Sequence, residues 1–349
     1  MIANLPLGPV SGRIGEKSDR ECARSDRERP EGFALAAPPD DAIRHGVDTG
    51  RKWRALPADH PPRRTVRGFE AAHHSTRHSG RMNERGLDRD GTIAREGALD
   101  RVPAAFVPVV DAARAHLTET FGGTRLHSAY LYGSIPRGTA TPGVSDLDLQ
   151  LALHDEPTEA DRTDARAIEA VLDRAFPQID GVGILLTSTR GLPSDVERHD
   201  AGFFIACLCT PLLGPDLAEQ LPRYRPTALL ARETNGDLAR VLRRWRARAA
   251  EATTDADRRT LGRLVGRRVV RTGFTLIMPR WGGWTSDLDQ SAELFGRYYP
   301  ERVGQMRVAA STGRAPTPDP AVLGMLINDL GPWLAAEYTA VHGEKAPRL

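Results

Sequence analysis

Leucine alternates with polar residues in the segment SDLDLQLAL, which runs from residue 145 to residue 153. Successive side chains of a β-strand point to opposite faces of the sheet. A strand here would place four leucines on one face, and Asp146, Asp148 and Gln150 on the other. The pattern therefore predicts a strand with one core-facing side and two carboxylates on its second side.

The flanking pattern predicts a mixed sheet with packed helices. Apolar residues recur at helical spacing from Phe106 to Phe121, and Gly122-Gly123 follows as a stop signal. HSAYLYGS, GVGILLTS and AGFFIACLCT have the composition of three more strands. Between them, Thr158 and Asp161 form a capping-box pattern that opens a further helix. The expected apolar stripe of that helix is Ala167, Ile168, Val171, Leu172 and Phe176.

The chain after Thr227 is helical in pattern almost to its end. LARVLRRWRARAAEA and DRRTLGRLVGRRVVRTGFTLIM are long amphipathic segments, and Pro279 is expected to stop the second. Two shorter helices and a last one, kinked or broken at Gly331-Pro332, would complete a helical bundle. The arginines between Arg240 and Arg271 are interpreted as solvated helix faces.

Residues 1–95 show no period that persists, and they are rich in Arg, Pro, Gly and His. Such a segment buries too little apolar surface to offset its ordering entropy, so it is expected to be disordered or a non-native extension. Met82 is a candidate true start. The predicted organisation is an extension over 1–95, a sheet domain over 100–222 and a helical domain over 226–345. The fold class is α+β.

Composition excludes several classes of protein. The 349 residues carry a formal net charge of +2, which gives no overall nucleic-acid footprint. No apolar run approaches the ~20 residues of a membrane span, and the N-terminus lacks the apolar core of a signal peptide. Three cysteines supply no disulfide framework. We therefore expect a cytoplasmic location.

The two strand carboxylates suggest a metal site. Asp146 and Asp148 would stand about 6.6 Å apart along the backbone. Carboxylates this close repel each other unless a cation lies between them. Mg²⁺ or Mn²⁺ suits this position, because hard cations take oxygen ligands and complete their shell with water and phosphates. Upstream, Gly133 permits close backbone approach, Ser134 adds a hydroxyl, and Arg137 offers a fork for phosphate.

These residues carry a family resemblance. Gly133-Ser134, Arg137-Gly138, Ala140 and the segment 145–149 together resemble the signature of the DNA polymerase β-like nucleotidyltransferases, especially the minimal and antibiotic-modifying bacterial members. The resemblance implies transfer of a nucleoside monophosphate from a nucleoside triphosphate, with ATP as the prior, to a hydroxyl acceptor. Pyrophosphate would be released, and the acceptor would be a small molecule or a protein.

The resemblance also implies roles for single residues. Asp146 and Asp148 would be catalytic and hold two divalent metal ions. Gly133, Ser134, Arg137 and Ser145 would bind the nucleotide. The C-terminal helices would close the cleft and supply part of the acceptor site.

The resemblance further implies a third carboxylate on the strand after the second helix, within a hydrophobic–Asp–hydrophobic segment, and QIDGVGILL leaves its position open. If the segment that carries the carboxylate is Ile179-Asp180, then Asp180 is catalytic. If that segment is Val182-Gly183-Ile184, glycine occupies the position of the carboxylate and the third carboxylate is missing. Later acids, namely Asp195, Glu197 and Asp200, would serve only if the following loop folded back.

Two alternative functions remain. A catalytically impaired nucleotide-binding protein on the same fold is one, and a nucleic-acid-acting nucleotidyltransferase is the other. A second SDLD string begins at Ser286, but no Gly-Ser turn precedes it. Ser286 or Asp287 is therefore interpreted as a helix N-cap.

Overall fold

The computed structural model describes residues 85–192, 194 and 197–346. Met82, Asp195 and the first 84 residues lie outside these ranges, so the interpretation of Met82 as the start stays a prediction. Within the described residues no helix is both long and apolar enough to cross a bilayer. The cytoplasmic location likewise stays a prediction.

A four-stranded mixed sheet forms the centre of the first half. Its strands are β1 (Leu126–Tyr132), β2 (Leu147–Leu153), β3 (Val182–Ser188) and β4 (Cys209–Leu213), in the spatial order β3-β2-β1-β4. β1 pairs antiparallel with both β2 and β4, whereas β2 and β3 run parallel. The predicted α+β class and mixed sheet are confirmed.

Two helices cover the leucine face of the sheet. They are α1 (Val107–Phe121) and α3 (Glu159–Ala175), and a short helix α2 (Ser134–Arg137) follows β1. The four leucines of β2 are fully buried in one cluster with apolar side chains of both longer helices. Because alternation buries every second side chain, the same strand presents Asp148 and Gln150 to its opposite face.

The capping box at the start of α3 is present, but its apolar stripe differs from the prediction. The Thr158 hydroxyl accepts from the Asp161 amide at 3.2 Å, and the Asp161 carboxylate accepts from the Thr158 amide at 2.6 Å. Ala165, Ile168 and Leu172 are buried, whereas Ala167 and Val171 are exposed. The helix is rotated so that Ala165, three residues before the buried Ile168, points inward.

The fourth predicted strand was placed too early in the chain. Residues 201–208 are helical, as α4 (Ala201–Phe203) and a π-helix (Phe204–Leu208), and only then does β4 begin. An apolar run of this length does not distinguish a strand from a buried helix. Tertiary packing decided the outcome, because Phe203 and Cys207 are buried in the core of the helical half.

The second half is helical, as predicted. Its bounds are α5 (Ala228–Asn235), α6 (Leu238–Glu251), α7 (Asp255–Trp281), α8 (Leu288–Gly296), α9 (Val303–Arg314), α10 (Pro320–Met325) and α11 (Gly331–His342). Short 3₁₀ turns lie at Leu99–Arg101, Ala104–Phe106, Leu217–Gln220 and Pro300–Arg302.

Neither Pro279 nor Pro332 breaks its helix. Pro279 lies inside the last turn of α7, which continues to Trp281 and ends at Gly282, a residue with φ of 71°. Before Pro332 the chain forms a π-helix (Leu326–Leu330) and remains helical into α11. A π-turn accommodates a proline because its wider spacing rearranges the local hydrogen bonds that proline cannot make.

Folded chain also begins earlier than residue 95. Leu87 and Ile93 form a β-bridge, and the Ile93 amide donates to the Tyr224 carbonyl at 2.7 Å. Ile93 is 5% exposed in the core of the helical half. The disordered extension predicted for 1–95 therefore overlaps packed chain between 85 and 95, since a single buried isoleucine has no periodicity for a sequence pattern to detect.

The pairing of Arg125 with Asp161 yields a prediction about stability. Arg125 Nε donates to Asp161 Oδ1 at 2.8 Å, and this bond holds the pKa of the Asp161 carboxyl below its usual value. A lowered pKa contributes stability that is present above the unfolded-state pKa and is lost as the pH falls. We expect Asp161→Asn to lower the free energy of unfolding by about 1–3 kcal/mol at pH 7.

Denaturant unfolding at pH 7, 5 and 3 checks this expectation. The difference between wild type and D161N should shrink below pH 4. Asp164 lies exposed on the same helix, and D164N as the matched control should stay within about 0.5 kcal/mol of wild type. A D161N effect that is the same at all three pH values would contradict the assignment.

Candidate functional site

The turn after β1 lies directly against Asp148. Gly133 has φ of 83°, and a β-carbon on it would lie 2.6 Å from Asp148 Oδ2. Both the backbone angle and this close approach require glycine. Helix α2 then runs from Ser134 to Arg137 and ends at Gly138, with φ of 77°. The structure thus brings the predicted Gly-Ser turn and one predicted carboxylate together.

Strand pairing explains why these residues meet. Tyr132, the residue before Gly133, lies opposite Asp148 in the antiparallel β1-β2 ladder. Asp146 stands two residues earlier, where the chain enters β2. The Ser145 hydroxyl accepts from the Thr141 amide at 2.9 Å, so it braces the turn that leads into the strand.

The two carboxylates affect each other. Burial and the neighbouring Asp146 raise the pKa of Asp148 to about 7, although its side chain keeps a partly exposed surface. Arg267, Arg271 and Arg137 act in the opposite direction. The ionised form of Asp148 is therefore disfavoured by its surroundings and needs positive charge close by.

Arginines from the helical half supply that charge, and sequence reasoning missed them. Arg267 and Arg271 are four residues apart on α7, so they share one face of that helix. Both were interpreted as solvated. The structure instead turns this face toward Asp146 and Asp148. The four-residue spacing of the two arginines was the available sequence signal for a shared helix face. It does not show which other element that face will contact.

The arginines beside the carboxylates are reached by solvent. Burial, together with Arg267 and Arg137, lowers the pKa of Arg271 to about 10, yet its side chain is solvent-exposed. The exposed side chain indicates an open site rather than a sealed interior. Arg267 Nε donates to the Gly313 carbonyl of α9 at 2.9 Å, which fixes one guanidinium over the carboxylates.

Tyr132 is a second residue of the site that the sequence did not single out. It faces Asp148 on one side and Cys209 on the other, in register across the sheet. Its hydroxyl is buried and has no hydrogen-bond partner within the described chain. Burial and the charge of Asp148 raise its pKa well above the usual value for tyrosine.

Glycine stands at the sheet position beside Asp148. Gly183 of β3 pairs with Asp148, and a β-carbon on Gly183 would lie 3.7 Å from Asp148 Oδ1. Asp180 comes before β3, and its amide donates to the Ser145 carbonyl at 3.0 Å. The sequence left two positions open for the third carboxylate, Asp180 and Gly183. Of these, Gly183 is in register with Asp148. The role of Asp180 stays a prediction.

The later acids lie in other surroundings. Asp200 and Lys345 form an ion pair in which each side chain is 4% exposed. Glu197 belongs to a turn whose carbonyl accepts from the Gly202 amide at 3.0 Å. Asp195 lies outside the described residues. The buried pairing with Lys345 gives Asp200 a structural contact away from the strand carboxylates.

The second SDLD string is a helix start, as predicted. Asp287 is the N-cap of α8, and its side chain accepts from the Gln290 amide at 2.8 Å. Asp289 forms an ion pair with Arg314. Ser286 bonds elsewhere, to Arg137 and Glu96.

The residues fit a divalent cation that is shared with a phosphate ligand. Among the residues described, no group of three or more His, Cys, Asp and Glu side chains is placed to hold a metal. Asp146 and Asp148 offer two carboxylates whose mutual repulsion a cation would relieve. Mg²⁺ held by one or two carboxylates normally completes its shell with water and substrate phosphates.

Comparison with known proteins adds a structural likeness. No protein-family model matches the chain, and no curated protein matches it. A spectinomycin adenyltransferase from Enterococcus faecialis, crystallised with ATP and spectinomycin, aligns at a TM-score of 0.45 and 13% identity, over 66% of this chain and 98% of its own. A likeness at this score carries no conclusion about activity.

The raised pKa of Asp148 predicts a gain of stability on its removal. The folded-state pKa of about 7 lies above the unfolded-state value of 3.8. Ionisation therefore destabilises the fold, increasingly so as the pH rises toward 7 and fully above it. In the presence of a chelator that removes divalent metal ions, Asp148→Asn should raise the free energy of unfolding at pH 8 by about 1–3 kcal/mol over that of the wild type. One pKa unit corresponds to about 1.4 kcal/mol.

Thermal and denaturant unfolding at pH 5 and pH 8 test this expectation. The gain should be smaller at pH 5, where the wild-type carboxyl is largely protonated. An Asp148→Asn variant that is less stable than wild type at pH 8 would contradict this expectation. It would show that the nearby arginines stabilise the ionised Asp148 carboxylate without a bound ligand.

Proposed function

We propose that the protein is a metal-dependent nucleotidyltransferase that moves a nucleoside monophosphate from a nucleoside triphosphate to a hydroxyl acceptor. One observation carries the proposal. Asp148, with Asp146 beside it on the strand, lies against the Gly133-Ser134 turn and beneath arginines from two parts of the chain. Carboxylates for a cation and guanidiniums for phosphates thus occupy one open cleft.

The arginines support a triphosphate as the ligand. Arg267 and Arg271 approach from α7, and Arg137 from α2. The Arg271 guanidinium makes neither a hydrogen bond nor an ion pair with the described chain, and the Arg267 guanidinium uses only Nε in a hydrogen bond. These two guanidiniums repel each other and form no ion pair with the described chain, which favours a multiply charged anion beside them.

A bound Mg²⁺ or Mn²⁺ would be held by Asp146 and Asp148 together with phosphate oxygens, and would neutralise charge on the transferred phosphoryl group. Ser134 and the Gly133 backbone would lie along the β- and γ-phosphates. In the reaction the acceptor oxygen bonds to the α-phosphorus, the bond from the α-phosphorus to the bridging oxygen breaks, and pyrophosphate leaves. The acceptor proton passes to Asp180 or to solvent, because position 183 carries no carboxylate to receive it.

The positive charge of the arginines beside the site restricts which acceptor can bind. Two arginines of α7 stand where a polycationic sugar would need acids, so a neutral or anionic hydroxyl compound, or a protein hydroxyl, fits better than an aminoglycoside. ATP is the first nucleotide to test. These arginines also account for part of the basic character that a nucleic-acid-acting enzyme would use, and their charge acts on Asp148.

The test is transfer of label from nucleoside triphosphate to an acceptor panel. With Mg²⁺ or Mn²⁺, the wild-type protein should form adduct and pyrophosphate with at least one of the four nucleotides. Asp146→Asn and Asp148→Asn should each reduce turnover by at least about 10²-fold, because each removes charge that stabilises the transition state. Asp164→Asn, an exposed change on α3, is the control and should retain full activity.

No adduct and no pyrophosphate with any nucleotide, while Mg²⁺-ATP still binds, would refute the transferase assignment. It would favour the second candidate, a nucleotide-binding protein without catalysis on the same fold. Gly183 is the observation that favours this candidate. A carboxylate beside Asp148 is the group that the resemblance implies as the proton acceptor, and glycine offers none.

A substitution at position 183 separates the two candidates. Gly183 belongs to a regular strand. Among the described residues apart from its two chain neighbours, only Asp148 lies within 4 Å of a β-carbon placed there. Gly183→Asp should therefore fold and bring a third carboxylate to the metal ligands. We expect turnover with Mg²⁺ to rise about 10-fold or more, the lower range of general acid–base catalysis.

Gly183→Asn is the matched control, because it has the same shape without the charge. A rise shared equally by both variants would contradict a role for the carboxylate. No rise in either, in a protein that binds Mg²⁺-ATP normally, would show that the missing acid is not what limits the reaction.

A further inference from the structure

A carboxylate outside the sheet joins three parts of the chain. The Glu96 side chain is 12% exposed. Its Oε1 accepts from Trp284 Nε1 at 2.7 Å, and its Oε2 accepts from the Ser286 hydroxyl at 2.8 Å. Trp284 and Ser286 lie in the loop between α7 and α8. Glu96 therefore anchors this loop of the helical half.

Ser286 connects Glu96 to Arg137, which bonds to the turn at Gly133. Its oxygen accepts from Arg137 Nη1, and Glu96 Oε2 lies 3.7 Å from the same nitrogen. Arg137 Nε donates to the Gly133 carbonyl at 2.9 Å. Donors and acceptors thus run in one direction, from Arg137 to Ser286 and from Ser286 to Glu96. We call these three residues the Glu96 relay.

The relay leaves one edge of the guanidinium for a ligand. Nε is used by Gly133 and Nη1 by Ser286, whereas Nη2 makes no hydrogen bond with the described chain. The relay bonds fix the plane of the guanidinium. Because the fork of arginine is rigid, fixing two nitrogens also fixes the direction of the third.

The backbone around Glu96 is itself held in place. A β-carbon on Gly97 would lie 2.4 Å from Thr210 Oγ1 and 2.9 Å from Pro136 Cβ, so the chain packs tightly on β4 and α2. The Ala98 amide donates to the Pro136 carbonyl at 2.9 Å. Glu96 is therefore presented from a rigid support.

We infer that Glu96 is a positioning residue, which through Ser286 orients the Arg137 guanidinium toward the terminal phosphates and ties the Gly133 turn to the helical half. The ligand part of this inference rests on the proposed function, because Arg137 would there receive the triphosphate. The relay gives Ser286 a role that its place in the second SDLD string did not suggest.

Nucleotide binding tests the orienting role. Ser286→Ala breaks the relay at its centre, and Glu96→Gln removes the charge with little change of volume. Each should weaken binding of Mg²⁺-ATP about 10-fold, the loss expected for one hydrogen bond to a charged group. Binding of AMP, which lacks the terminal phosphates, should change less than about twofold. Titration calorimetry with both nucleotides measures the ratio.

The chain offers matched controls. Thr285 is the neighbouring hydroxyl in the same loop, and it bonds to Gln290 rather than to the relay. Thr285→Ala should leave the ATP-to-AMP ratio unchanged, and Ser286→Thr, which keeps a hydroxyl, should restore it. A merely structural role would weaken ATP and AMP equally. Equal loss, or wild-type ATP binding by S286A, overturns the inference.

A second measurement needs no nucleotide. The amides of Gly138 and Thr139 donate to Ile135 and Ser134 carbonyls at 3.1 and 3.0 Å, and they report the order of α2. In S286A they should exchange hydrogen about 10-fold faster than in T285A. Equal exchange in the two variants overturns the relay. If the wild type binds no Mg²⁺-ATP, the proposed function fails, and exchange alone decides the relay.

Discussion

A pair of like charges at the edge of a buried strand is the constraint on which the site depends. Asp146 directly precedes β2 and Asp148 lies on it, and burial together with the charge of Asp146 moves the pKa of Asp148 to about 7. Such a pair persists only if nearby cations lower its energy. The guanidiniums of Arg137, Arg267 and Arg271 meet that need in part, and a bound metal would meet the rest.

This requirement explains why the helical half is more than an appended bundle. α7 brings two arginines over the sheet, and Arg267 is fixed by a carbonyl of α9. The loop that follows α7 reaches back through Ser286 to Arg137 and Glu96. Phe203 and Cys207, from the first half, are buried in the helical core. The cleft is therefore a product of both halves and not of the sheet alone.

Glycine has two opposite consequences in the same cleft. At position 133 it lets the turn after β1 approach Asp148 so closely that a β-carbon there would lie 2.6 Å from Asp148 Oδ2. At position 183 it leaves space beside the same carboxylate, in a strand that would accept a larger residue. The first glycine is required by the turn, which in the proposed function would hold the phosphates. The second leaves no carboxylate at the strand position beside Asp148.

Local pattern by itself determined the sheet, the first three strands, most helices and the pairing of Gly133 with the Asp146-Asp148 strand, because alternation, turn residues and capping act between near neighbours in the chain. Only the tertiary structure decided that residues 201–208 are helical, that Arg267 and Arg271 face the carboxylates, and that Gly183 is in register with Asp148. These outcomes depend on contacts between residues far apart in the chain. A periodic pattern states which residues share a face, and it carries no information about what that face will meet.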